Sequence, residues 1–74
     1  MGIFPTKIDY MTELLVNRRK FKGFTQEQMG KMLGISARTY QRKEAGAANI
    51  SELLQICKIL DLHILLIPKE QISI

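Results

Sequence analysis

Apolar positions recur at helical spacing through most of the chain and change character only near its end. Ile8, Met11, Leu14 and Leu15 make the first stripe. Thr6, with Asp9 three residues on, reads as its capping box, and Gly23 closes it just past Lys22. Met29, Met32 and Leu33 make a second, short stripe, opened by Thr25 with Gln28 as capping partner and ended by Gly34. Only Gly34 and Ile35 then precede Ser36, a strong N-cap, so the chain must turn sharply, with Gly34 free to take a positive φ. The third predicted helix, residues 37–45 closed by Gly46, breaks the pattern. Ala37 and Tyr40 are nearly its whole apolar side, and a helix this polar is not mainly a core element. Asn49, with Glu52, opens a fourth helix, whose Ile50, Leu53, Leu54, Ile56, Cys57, Ile59 and Leu60 make it the most apolar segment. Asp61 breaks that pattern, and residues 62–67 are rich in strand formers and stop at Pro68.

The pattern predicts a helical domain over residues 1–61 and a strand with its tail over residues 62–74. A 74-residue chain makes one small domain, and small domains often need a disulfide, a metal or a partner chain. Cys57 is the only cysteine and His63 the only histidine, which excludes an internal disulfide and leaves no ligand set for zinc. Association remains. An isolated apolar strand is not stable; within the chain only the short tail, residues 71–74, offers a second strand, and the simplest partner for Leu62, Ile64, Leu65, Leu66 and Ile67 is the same segment of a twin subunit, which makes a homodimer.

Charge changes the picture further. Residues 18–43 hold eight bases and one acid, a net of +7, while the rest of the chain holds three bases and six acids. Such a window is either a solvated basic face or a surface for an anionic polymer. The polar third helix favours the second reading, because a helix placed in the DNA major groove presents side chains near its N-terminus to the base edges. Arg38 and Arg42 lie one turn apart on one face, and each can donate bidentately to guanine. Ser36, Ala37, Thr39 and Gln41 flank them, with Ala37 and the Thr39 methyl suited to a thymine methyl group. Tyr40 and Cys57 read as core residues and His63 as a tolerated strand residue. No nucleophile–base pair, metal cluster or phosphate-cradling loop is apparent, so neither an enzyme nor a cofactor is expected. The N-terminus lacks the pattern of a secretory leader, no apolar run could cross a bilayer, and a lone cysteine suits a reducing compartment, so a cytoplasmic location is expected.

The stretch FTQEQMGKMLGISARTYQRKEAG, residues 24–46, resembles the helix-turn-helix of the phage-repressor and Cro family, also called the XRE family. Thr25 and Gln26 open the scaffold helix, Gly30 stands where the family keeps a small residue, and Gly34, Ile35 and Ser36 make the turn. Glu44, Ala45 and Gly46 close the recognition helix. The resemblance implies an all-α, lambda-repressor-like domain of four to five helices, followed here by the pairing strand. It implies binding to double-stranded DNA, with Gln26 at a phosphate-clamping position and Arg19 and Glu44 as a structural ion pair. Lys43 and Arg18 depart from it, standing at positions that are usually apolar. Each either snorkels or reaches a phosphate, and Lys43 is counted with the DNA-binding set. The loop over residues 47–49 also lacks the bases that often grip the backbone. A helical core followed by a strand and the Pro68–Lys69 step further resembles HipB-type antitoxins, dimeric operator-binding repressors that neutralise a HipA-like kinase toxin. The competing class is a protein-interaction adaptor that keeps the fold without specific DNA binding.

Overall fold

The computed structural model describes residues 7–66 and 68. Four α-helices follow in order: α1 (Lys7–Phe21), α2 (Gln26–Leu33), α3 (Ala37–Arg42) and α4 (Ile50–Ile59), with a π-helical turn, Lys43–Ala47, between the last two. The expected Thr6 cap lies outside the described residues.

The caps explain where each helix begins. Thr25 Oγ1 accepts from the Gln28 backbone N–H at 3.0 Å while Gln28 Oε1 accepts from the Thr25 N–H at 2.8 Å. Asn49 and Glu52 make the same reciprocal pair at 2.8 and 2.9 Å. Ser36 Oγ accepts from the Thr39 N–H at 3.1 Å and opens α3. These bonds satisfy backbone donors that a helix start otherwise leaves to water.

Three helices also end alike. After α1 the Gly23 and Phe24 N–H groups donate back to Lys20 and Arg19. Gly34 and Ile35 do the same to Lys31 and Gly30 after α2, and Asp61 and Leu62 to Lys58 and Cys57 after α4. Each is a Schellman closure, with a left-handed residue followed by an apolar one that folds onto the helix. Phe24, Ile35 and Leu62 are those apolar residues, and all three pack against the core. Gly34, at φ 75°, supplies the left-handed step inside the sharp turn. Asp61 makes the same step at φ 56°, a conformation aspartate tolerates better than most side chains, and it pairs with Lys22.

The core draws on every α-helix: Leu15 from α1, Met29 from α2, Tyr40 from α3, and Ile56 and Cys57 from α4, with Leu60 just beyond. Burial alone raises the Cys57 thiol pKa above its ordinary value. Gly30 brings α2 close to the turn, since a Cβ there would lie 2.7 Å from the Ile35 carbonyl oxygen.

Two expectations need correction. The third helix is closed at Gly46, φ 117°, as expected, but from Lys43 onward its winding is π rather than α. The strand after α4 is likewise not formed among the described residues, where the fold is all-α. A strand needs a second backbone to bond with, and residues 62–66 have none within the described chain. Burial nevertheless alternates over residues 62–65, with Leu62 and Ile64 packed on the core and His63 and Leu65 exposed, and Leu66 breaks the alternation by being exposed as well. Ile67 lies outside the described residues.

Candidate nucleic-acid interface

α3 carries one buried residue, Tyr40, and points most of its remaining length at solvent. At 3.6 residues per turn, Ala37, Arg38, Gln41 and Arg42 fall within one arc of roughly 140°, with Tyr40 on the opposite side. All four are exposed, and none makes a side-chain hydrogen bond or ion pair within the described residues. The arc offers two planar guanidinium forks, an amide and a methyl group, which suits base edges in a major groove.

The other predicted members of the set are occupied. Ser36 Oγ accepts from the Thr39 N–H and donates to Thr39 Oγ1 at 2.9 Å, so both hydroxyls belong to the cap. Lys43 is half-buried and its Nζ lies 3.0 Å from Glu52 Oε2, turned toward α4. Gln26 donates through Nε2 to Glu44 Oε1 at 3.0 Å. An amide carries two N–H bonds, so one remains for a phosphate.

Glu44 is the hub behind this face. It is 3% exposed. Its Oε2 accepts from Arg19 Nε at 2.7 Å and from the Tyr40 hydroxyl at 2.9 Å, while Arg19 Nη1 donates to the Phe24 carbonyl at 2.9 Å. The pair thus joins α1 to the turn after α3, the Gln26 bond adds the start of α2, and the Tyr40 bond adds α3 itself. Burial, then the bond to Glu44 and its charge, push the Tyr40 phenol pKa well above its ordinary value.

Arg18 folds back on the protein. Its Nε donates to the Leu60 carbonyl at 2.8 Å, and its guanidinium lies 5.0 Å from the centre of the Phe21 ring. With Lys22 on Asp61, the end of α1 therefore clamps the end of α4. Four of the eight bases in the basic window, Arg18, Arg19, Lys22 and Lys43, are held by internal partners. Lys20 and Lys31, along with Arg38 and Arg42, are exposed without an ion pair among the described residues. Sequence reasoning did not single out Lys20 and Lys31. Charge counting weighs every base alike, and only packing shows which are already paired.

A family model described as helix-turn-helix matches residues 15–67. No curated protein and no solved structure gives a significant match. The matched span begins in the core at Leu15, includes the Glu44 hub and the exposed arc of α3, and continues into the apolar segment after α4.

Proposed function

The chain belongs to the XRE-type helix-turn-helix family, and from that premise we propose that it is a repressor that binds a palindromic operator as a homodimer. Membership supports a DNA-binding transcription regulator in general. The observation that carries the finer reading is the arc of Ala37, Arg38, Gln41 and Arg42, four exposed side chains on one side of a helix otherwise buried only at Tyr40. With α3 in the major groove, Arg38 and Arg42 each read a guanine and Gln41 an adenine, while Ala37 meets a thymine methyl. Lys20 and Lys31 add charge for phosphates, and Gln26 at the start of α2 adds a donor beside a helix N-terminus. Each subunit offers few contacts, so pairing through residues 62–67 multiplies them and places two α3 helices on successive turns of the duplex.

The adaptor reading draws on the internal partners of Gln26, Ser36 and Lys43. Arg38 and Arg42, unpaired among the described residues, weigh against it. An antitoxin role would add a HipA-like kinase as partner, which co-purification with the product of a neighbouring reading frame would test.

Selection from a random duplex library should yield a near-palindromic site. Against that site, Arg38→Ala or Arg42→Ala should each lose roughly 1–3 kcal/mol of binding and relax base preference at one position per half-site. Melting temperatures should stay near the parent value. Parent-like binding by both variants would remove α3 as the reading helix.

A further inference from the structure

Two adjacent residues hold the end of α3, and they reach different helices. Glu44 joins it to α1 through Arg19 and to the start of α2 through Gln26. Lys43, the residue before it, reaches α4, where its Nζ lies 3.0 Å from Glu52 Oε2. Among the described residues this is the one side-chain hydrogen bond or ion pair that joins α3 or its π-helical turn to α4. Glu52 divides its oxygens between two tasks. Oε1 accepts from the Asn49 backbone N–H at 2.9 Å and completes the capping box of α4, while Oε2 takes the Lys43 ammonium. The carboxylate is therefore anchored by backbone independently of Lys43. The lysine stem lines a small gap of about 50 Å³ together with Leu33, Ile35, Gln55 and Ile56. Leu33 ends α2, Ile35 lies in the turn before α3, and Ile56 belongs to the core. An unbranched apolar side chain such as methionine would fill the same space by packing alone. Lysine buries its stem there and adds a charge-assisted bond at the far end.

Resting on the DNA-binding reading above, we propose that Lys43 and Glu52 are positioning residues: the pair sets the angle of α3 against α4, and neither side chain touches DNA. Stability does not account for the pair. Its side chains are 24% and 36% exposed, and ion pairs that open to water contribute little to folding. Base reading is far more demanding, because side chains must be held to within about 0.5 Å and 10–20° of their productive geometry. α3 is poorly placed to hold itself that firmly. Its α-helical part is six residues long and buries only Tyr40. Its C-terminal end is therefore set by what Lys43 and Glu44 grip. Arg42, one of the two guanidinium forks on the exposed arc, immediately precedes Lys43, so a rotation of the chain at residue 43 is felt there first. The pair also uses up the Lys43 charge. A phosphate would have to replace a carboxylate that the α4 cap already holds in place.

The test compares binding of the parent, Lys43→Met, Glu52→Gln and the double variant to the selected duplex and to a scrambled duplex of the same length. Circular dichroism checks that each is folded under the binding conditions. The ratio of the two affinities should fall about tenfold in each single variant, within what one bidentate base contact contributes. It should fall no further in the double variant, because both changes break the same bond. Lys43→Arg keeps the cation and should keep the parent ratio. A purely structural loss would lower both affinities alike and leave the ratio unchanged. On the scrambled duplex, the log–log slope of affinity against salt should be the same for Lys43→Met and the parent. A slope smaller by about 0.9 per subunit would put the ammonium on a phosphate and overturn the proposal. Parent-like ratios in both single variants would also overturn it, and would leave reading by α3 standing. A parent that prefers neither duplex would overturn the DNA-binding reading and the positioning role together. If Glu52→Gln fails to fold, Lys43→Met, which leaves the α4 cap whole, decides alone.

Discussion

Glu44 accepts hydrogen bonds from Arg19, Gln26 and Tyr40, one residue from each of the first three helices. A buried carboxylate with three donors and a counter-ion is stable. Removing it leaves the Arg19 guanidinium, itself 8% exposed, without an anion. Breaking such a pair typically costs about 3–5 kcal/mol, a large share of the stability of a domain this small. Glu44→Gln should therefore melt far below the parent, while Glu13→Gln on the exposed side of α1 should not. Tyr40→Phe removes one bond to a charged acceptor and should cost about 1.5–3 kcal/mol alone. Placed on top of Glu44→Gln it should cost much less, because the acceptor it served has lost its charge. Additive losses in this thermal double-mutant cycle would show that the hydroxyl and the carboxylate act independently.

At the scale of elements, α4 depends on its capping box. The Asn49 backbone N–H bond, and then Lys43, hold the Glu52 carboxyl pKa below its ordinary value. The sign follows from linkage. A lowered folded pKa contributes stability above the unfolded value, about 4.3 for glutamate, and that contribution is lost as pH falls through the folded value. Asp61, lowered chiefly by its bond to Lys22, acts in the same direction at the other end of α4. The melting temperature of the parent should therefore fall between about pH 5 and pH 3. Glu52→Gln still offers an oxygen to the Asn49 N–H but does not titrate, so it should lose less over that interval. Parallel pH profiles for the two proteins would remove Glu52 from the acid sensitivity.

At the scale of the molecule, the proposed reading face and an apolar groove are built from different residues. α3 supplies the first; α1, α4 and the segment after α4 supply the second. The homodimer proposed above, paired through residues 62–67, uses none of the α3 arc residues in its pairing segment. Its two reading helices would sit about 34 Å apart, one turn of DNA. Leu65 is 78% exposed, so Leu65→Pro should leave the helical body intact while removing a ladder N–H from the pairing segment. The variant should be monomeric in solution. Its log–log slope of affinity against salt should fall to about half that of the parent, because one subunit neutralises half the phosphates. A Leu65→Pro protein that stays dimeric with an unchanged slope would exclude strand pairing as the source of the dimer.

Much of this was legible in the sequence because it is local. Thr25 with Gln28, Ser36, and Asn49 with Glu52 cap helices through bonds spanning three residues, so side-chain type and spacing suffice to place them. Gly34 marks the turn because the left-handed conformation is a property of a single residue, and the polarity of α3 marks it as a surface helix. The sequence likewise determined that residues 62–67 form an apolar segment, but a strand is a relation between two backbones, and within the described residues the second is missing. Tertiary structure alone decided which charges remain available. Arg18, Arg19, Lys22 and Lys43 find partners between 9 and 42 residues away, whereas Arg38 and Arg42 find none among the described residues. Composition treats those six bases as equivalent. The crossing of α1 with the turn after α3 and with the end of α4 brings carboxylates and a carbonyl to three of them, the packing of that turn on α4 brings Glu52 to Lys43, and the other two are left exposed.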